Sequence, residues 1–168
     1  MKKTLVILLA LVATTHRVHA QAGQWACRVD SLSGYNCAGY YSGTVTLTSE
    51  LRGSDLHQTL RVVATVTDGR VSCQVSGSEV GEFGGPGMLA VTHEAAQVAG
   101  GGYSISVWCP ASEGEQPRRG DSAMIEIMRQ RAATYATLEG RDAHEHPDAD
   151  AVNGLSGTET ITWSLHRR

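Results

Sequence analysis

The stretch at residues 60–77, LRVVATVTDGRVSCQVSG, carries the pattern that decides the fold. On each side of Asp68-Gly69, apolar residues alternate with polar ones at a period of two, which is typical of half-buried strands. Asp-Gly between two such runs favours a tight hairpin turn, because both central residues need positive φ. With Asp68 and Gly69 as the loop, Ala64 pairs with Cys73. Every core candidate of the hairpin, Cys73 included, therefore lies on one face.

The first part of the chain, residues 1–20, has the three regions of a secretory signal peptide. Lys2 and Lys3 form a basic start, an apolar run too short to span a bilayer follows, and Val18-His19-Ala20 forms the cleavage region. We expect cleavage after Ala20, with Ala22 as the alternative, which leaves a single domain at residues 21–168. The Lys-Lys start and the absence of an Asn-x-Ser/Thr sequon are typical of a bacterial exported protein, either periplasmic or secreted.

The charge of the expected mature chain excludes two classes of partner. Loss of Lys2, Lys3 and Arg17 reduces the 14 basic residues to 11, all arginine, against 17 acidic residues, a formal net charge of −6. Binding to nucleic acid or to an anionic membrane surface needs basic patches. We therefore expect neither as a partner. No stretch after the leader is long and apolar enough for a membrane helix, so we also expect no membrane insertion.

Four cysteines in an exported chain predict two disulfides, although four cysteines allow three pairings. We favour a local clasp between Cys27 and Cys37, and a second bond between Cys73 and Cys109 that joins two strands. A redox or nucleophilic cysteine would call for a CxxC motif or an unpaired thiol, and the pattern offers neither.

The rest of the chain reads as short strands separated by turns. Strands are expected over residues 21–29, 44–51, 88–92, 103–109, 123–130, 134–138 and 158–166. Glycine and proline predict an irregular loop at residues 77–87, polar composition predicts loops at 111–122 and 140–154, and residues 92–99 suit a turn or a single helical turn. About eight strands with almost no helical periodicity predict an all-β domain stapled by disulfides. Its architecture is an antiparallel β-sandwich or a small β-barrel, and periodicity does not distinguish the two.

Possible metal ligands are densest at residues 144–150, HEHPDAD. The imidazoles of His144 and His146, with the carboxylates of Asp148 and Asp150, are side chains that bind zinc or copper. The alternative is a solvated acidic loop between two strands, because the spacing matches no specific metal motif. We therefore predict no cofactor, and keep metal binding through His144 and His146 as an alternative hypothesis.

A second histidine motif begins like a zinc protease signature. His93 and Glu94 start the pattern H-E-x-x-H, but Gln97 stands where the second histidine ligand is required. Without that ligand a zinc site cannot form by this pattern. The pair is best interpreted as a chance sequence at the end of a strand.

Residues 119–122, RGDS, resemble the integrin-recognition tetrapeptide of adhesion proteins. The resemblance covers four residues and nothing around them. Exposed loops are commonly composed of these residue types, so a chance match in the loop at residues 111–122 is the simpler interpretation.

Three aromatic residues are candidates for contact with a partner protein. Trp108 alternates out of phase with the buried residues of its strand, so on a one-faced sheet it would be exposed. A loop or an opposing sheet that covers its ring is the alternative, because large aromatic side chains are usually well buried. Tyr40 and Tyr41 are adjacent on an extended segment, so one of them must face outward.

The motifs favour a binding protein over an enzyme. We find no nucleophile elbow, no free cysteine and no phosphate-binding loop, and no motif identifies a family. Our leading hypothesis is a non-enzymatic exported domain that binds a protein, as an inhibitor, an immunity factor or an envelope accessory protein. The alternative is a hydrolase of an envelope polymer with a pair of carboxylates. The candidates for such a pair are Glu50, Asp55, Glu79, Glu82 and Glu94.

Overall fold

The structure is a computed structural model that describes residues 28–30, 34–53, 55–93, 102–118, 122–131, 135–146 and 156–168. This part of the chain contains ten strands and a single 3-10 turn, Ala38–Tyr40. The strands are β1 (Arg28–Asp30), β2 (Gly34–Asn36), β3 (Tyr41–Arg52), β4 (His57–Thr67), β5 (Arg70–Gly77), β6 (Gly81–His93), β7 (Gly102–Cys109), β8 (Ala123–Arg131), β9 (Thr137–His146) and β10 (Ser156–Arg167). The prediction of an all-β fold is confirmed. No helix in the described residues is long and apolar enough to cross a membrane.

Eight of the strands form one antiparallel sheet, in the order β8-β7-β6-β5-β4-β3-β10-β9, while β1 and β2 form a small separate sheet. The large sheet curls into a nearly closed barrel. Side chains from distant strands therefore meet inside it, as where Trp163 Nε1 of β10 donates a hydrogen bond of 2.8 Å to Tyr103 Oη of β7. Of the two predicted architectures, the barrel is the one observed.

The central hairpin has the predicted register. Ala64 of β4 lies opposite Cys73 of β5, and the flanking valines pair as expected. Asp68 and Gly69 have φ values of 50° and 75°, the conformation that a primed turn requires. The inward side chains from Val62 to Val75 are buried, and Leu60 at the start is half-buried. The alternation of the sequence therefore correctly identified the core face.

Residues 77–87 are not the irregular loop that their composition predicts. A short turn is followed by β6, a single strand of 13 residues whose first half pairs with β5. Two of its glycines are required by close packing. A Cβ atom at Gly87 would lie 2.6 Å from Cys73 Sγ, and one at Gly85 would lie 2.9 Å from Cγ of Pro110. Here glycine marks a densely packed strand, because a side chain has no room.

The predicted loop at residues 140–154 is wrong over its first half. Residues 140–146 belong to β9, which begins at Thr137 and pairs with β10. The strand lacks an alternation of apolar residues. Instead Gly140 lies beneath Trp163, since a Cβ atom there would overlap the indole ring. In the described part of the chain β9 is an edge strand, and its many charged residues are typical of that position.

The disulfide between Cys73 and Cys109 is confirmed, with the two Cα atoms 5.7 Å apart. It joins β5 and β7, which are separated by β6 in the sheet order. Residues 81–87 of β6 pair with β5, whereas residues 88–93 pair with β7. The sheet therefore turns a corner near Gly87, and the disulfide closes that corner.

Several predictions fall outside the described residues. Cys37 is disulfide-bonded, and Cys27, its predicted partner, is one of the residues that the structure does not describe. The same holds for the expected signal peptide, for most of the strand at residues 21–29, and for the segment after His93.

Candidate functional site

The three aromatic contact candidates occupy different environments. Trp108 does face the outside of the sheet, but only 7% of its surface is exposed. Tyr41 is completely buried because it begins the inward series of β3. These two side chains are therefore not exposed anchors. Tyr40 is the member of the pair that faces outward, at 36% exposure, and the guanidinium of Arg167 lies 5.1 Å from its ring centroid.

Methionines surround Trp108 on the outer face. Met88 of β6 and Met124 of β8 are its two cross-strand neighbours, so the three side chains form one row across the sheet. Met88 is 40% exposed, Met124 is 44% exposed, and Met128, further along β8, is 71% exposed. We call Met88, Trp108, Met124 and Met128 the methionine face.

The methionine face holds a large share of the exposed apolar side chains in the described residues. The six that are both large and exposed are Tyr40, Leu56, Val80, Met88, Met124 and Met128. Three of these, Met88 on β6 and Met124 and Met128 on β8, belong to the methionine face and flank Trp108 of β7. An unbranched thioether adapts its shape to an incoming surface, which is why methionine is frequent where proteins bind varied partners. A clustered apolar area on a sheet is a candidate interaction surface.

Sequence reasoning missed this face although its signal is present. Met124 and Met128 alternate with Ile125 and Ile127, and both isoleucines are 1% exposed. Two apolar sets of opposite phase lie on one strand, so only one of them can enter the core. Hydrophobicity alone does not distinguish the two sets, so the outward methionines were not identified as a surface.

A polar cluster lies inside the barrel around His93. Tyr41 Oη donates a hydrogen bond of 2.8 Å to the carbonyl oxygen of Tyr135. Since the hydroxyl has one proton, it must accept at its other contact, 2.9 Å from His93 Nε2. The imidazole therefore carries its proton on Nε2. Its ring stacks on Tyr135, with centroids 4.0 Å apart and planes within 5°.

The electrostatics keep this cluster neutral. Burial, followed by the positive charge of Arg167, lowers the pKa of His93 from 6.5 to about 4. Burial also raises the pKa of Tyr41 above its ordinary value. A neutral imidazole that stacks on Tyr135 and meets the Tyr41 ring edge-on, with centroids 5.9 Å apart, packs within the interior, and this is the role that the structure shows for His93.

Because the pKa of His93 is lower in the folded state, the unfolded state binds a proton more readily. Stability should therefore decrease as the pH falls from about 6.5 to about 4. Partial exposure of the ring reduces the effect, so we expect His93 to account for a loss of about 1 to 2 kcal/mol. Urea unfolding at pH 7 and pH 4 measures it.

His93→Phe keeps the ring stack on Tyr135 and removes the titrating group, so this variant should lose less stability in acid than the wild type does. His166→Phe is the matched control, since His166 is exposed. Equal acid sensitivity in His93→Phe and the wild type would contradict the assignment.

Only part of the candidate metal site lies within the described residues. His144 Nε2 lies 3.2 Å from Asp142 Oδ2, and both side chains are substantially exposed on β9. No group of three or more potential metal ligands occurs in the residues that the structure describes. The side chain of His146 lies outside these residues, as do Asp148 and Asp150, so metal binding there stays a prediction.

Two of the candidate carboxylates, Glu50 and Glu82, lie on strands that are well separated in the sheet. Glu50 and Glu82 line one groove of about 450 Å³ on the outer surface. They lie on β3 and β6, three strand spacings or about 14 Å apart. The two carboxyls of a glycosidase are at most about 9.5 Å apart. Asp55 and Glu79 lie in turns, and Glu94 lies outside the described residues.

Glu50 also has the wrong electrostatics for a general acid. Its carboxylate accepts hydrogen bonds from Arg52 and, at 3.1 Å, from His57. These contacts, the one with Arg52 first, lower the pKa of Glu50. A carboxyl that donates a proton near neutral pH needs a raised pKa.

The two remaining sequence motifs are largely outside the described residues. Of the RGDS tetrapeptide only Ser122 is described, and its Oγ donates a hydrogen bond of 2.7 Å to the carbonyl oxygen of Arg118. Of the HEAAQ motif only His93 is described, and it belongs to the interior cluster. The structure therefore adds no site to either motif.

No family model, curated protein or solved structure matches this chain. Barrel-like β-sheets carry many unrelated functions, so the fold does not identify one.

Proposed function

We propose that this chain is a non-enzymatic exported domain that binds a protein partner through the methionine face. The observation that carries the proposal is the exposure of Met88, Met124 and Met128 around a single tryptophan on three adjacent strands. Exposed methionines on a rigid sheet offer an adaptable apolar surface to a partner. Of the three aromatic contact candidates, only Trp108 belongs to this surface, where the methionines flank it. Tyr41 is buried, and Tyr40 lies on another part of the barrel.

The disulfide supports the exported location. Cys73 and Cys109 are bonded in the core, and disulfides persist chiefly in oxidising compartments such as the periplasm and the cell exterior. A domain in these compartments that acts by binding fits the role of an inhibitor, an immunity factor or an envelope accessory protein.

A charge substitution on the methionine face tests the proposal. Met124→Glu/Met128→Glu places two carboxylates at the centre of the apolar surface. We expect the recovery of a stoichiometric partner from the native envelope or culture medium to fall at least about tenfold, since burying each unpaired charge costs more than about 1.4 kcal/mol. Affinity purification with quantitative mass spectrometry measures the recovery.

The matched control is Thr44→Glu/Thr48→Glu, which has the same spacing and charge change on exposed positions of β3. This variant should retain the partner, and thermal unfolding should show that both variants are folded. Equal partner recovery by both double variants would contradict the assignment of the methionine face.

A further inference from the structure

The free edge of β8 borders the methionine face. In the described part of the chain β8 pairs with β7 alone, at one end of the sheet order. An edge strand presents backbone N–H and C=O groups to which another strand can bind. Which residues present these groups follows from the hydrogen bonds of the neighbouring strands.

The direction of the backbone N–H and C=O groups can be traced from β6. The backbone N–H of Val91 donates to Asn36 Oδ1 at 3.1 Å, and its carbonyl accepts from the N–H of Cys37 at 2.7 Å. Val91 therefore turns its backbone groups away from β7. Successive residues of a strand point in opposite directions, so Ala90 turns its groups toward β7 and bonds with Ser106, its partner in the register.

The same alternation continues to β8. Since Ser106 faces β6, its neighbour Val107 faces β8 and bonds with Ile125. Glu126 and Met124, on either side of Ile125, must then direct their N–H and C=O groups to the open edge. The carbonyl of Met128 accepts a hydrogen bond of 3.0 Å from the side chain of Gln130, which is consistent with this pattern.

The two edges of the sheet differ in their protection. Residues 139–145 of β9 are all exposed or half-exposed. They include Arg141 and Asp142, and charged side chains of this kind discourage pairing with another chain. On β8 the outward side chains of the segment 124–128 are two methionines with Glu126 between them. The edge of β8 is thus the one suited to accept a strand.

We infer that the partner binds by adding an extended segment to the edge of β8. The segment pairs with the backbone groups of Met124 and Glu126, as in other complexes formed by strand addition. Side chains directly opposite one another interact across a strand pair, so the segment carries apolar residues opposite Met124 and Met128 and a basic residue opposite Glu126. This inference rests on the proposed function, because it specifies how the same surface is used.

The test compares two substitutions of one residue. Glu126→Pro removes an N–H group that faces the open edge, a position where a sheet tolerates proline. Glu126→Thr removes the same side chain and keeps the N–H. The probe is a phage-displayed library of random peptides of about ten residues, the length of a long strand, selected on the wild-type domain.

Selected peptides should show the apolar-basic-apolar alternation. Their affinity should fall at least about tenfold on Glu126→Pro, beyond any change on Glu126→Thr. In the wild type, hydrogen exchange of the Met124 and Glu126 amides should slow when a selected peptide binds, a readout that also serves if the proline variant does not fold. Equal affinity for the proline and threonine variants, unprotected amides, or no enrichment of any peptide would overturn the inference.

Failure of strand addition can be told apart from failure of the proposed function. Binding that is lost in Met124→Glu/Met128→Glu but kept in Glu126→Pro rejects strand addition and leaves the methionine face as the site. Partner binding that is unchanged in all of these variants rejects both.

Discussion

Joint replacement of Cys73 and Cys109 by alanine is expected to lower the free energy of unfolding by about 4 kcal/mol. The bond closes a loop with a sequence separation of 36 residues, and a cross-link of that span removes about this much conformational entropy from the unfolded chain. For a domain of this size the melting temperature should fall by about 10 °C. Denaturant unfolding under non-reducing conditions measures the change while the disulfide of Cys37 stays intact.

Two results would contradict the expected loss of stability or its interpretation. A loss below about 1 kcal/mol would show that the unfolded chain is already constrained near the corner of the sheet. A loss with a changed denaturant slope would show that the reduced domain has lost its two-state unfolding. Ala90→Ser is the control, since it alters a buried small residue of β6 without affecting a cross-link.

Gly87→Ala is expected to destabilise the domain by about 2 to 3 kcal/mol. The added methyl group would lie 2.6 Å from Cys73 Sγ and 2.8 Å from the carbonyl oxygen of Trp108. Neither atom can move freely, because one belongs to the disulfide and the other to the backbone of β7, so the strain remains in the folded state. Thermal and chemical unfolding of the oxidised protein measure it.

The control for this substitution is Gly39→Ala, where a Cβ atom would meet no other atom within 4 Å. Its effect should stay within about 0.5 kcal/mol. If the two alanine variants are equally stable, the corner of the sheet has more room than the packing at Gly87 indicates.

The local sequence pattern was sufficient to predict register and burial where one face of a strand is apolar. The Asp68-Gly69 hairpin has the predicted register, and Ile161, Trp163 and Leu165 of β10 are buried as their alternation predicts. In both cases side-chain period and turn chemistry indicate the same structure.

The prediction of secondary structure failed where a residue is required by close packing and not by its hydrophobicity. In β6 glycine is needed because the disulfide and Pro110 occupy the space of a side chain, whereas composition alone associates glycine with loops. In β9 the inward Gly140 accommodates the Trp163 ring. Both reasons involve a partner distant in sequence, so no local window contains them.

The candidate site was predictable only in part, for a related reason. Trp108 was correctly assigned to the outer face, but its burial depends on what surrounds it in the folded sheet. Met88 and Met124 become its neighbours only through the pairing of three strands. The role of His93 could not be predicted for the same reason. Its contact with Tyr41 spans 52 residues, and the hydrogen bond between Tyr41 and Tyr135 spans 94.

The position of β10 between β3 and β9 constrains the order in which the barrel can assemble. The meander from β3 to β6 uses contacts between consecutive strands, so it can form while later residues are still being synthesised. Its pairing with β10 joins Tyr41 to Arg167, and closing so long a loop is slow. Until that step the side of β3 that pairs with β10 has no neighbour in the described sheet, so a chain delayed there exposes the backbone groups of this edge. A chaperone that acts on this protein would prevent most aggregation at that stage.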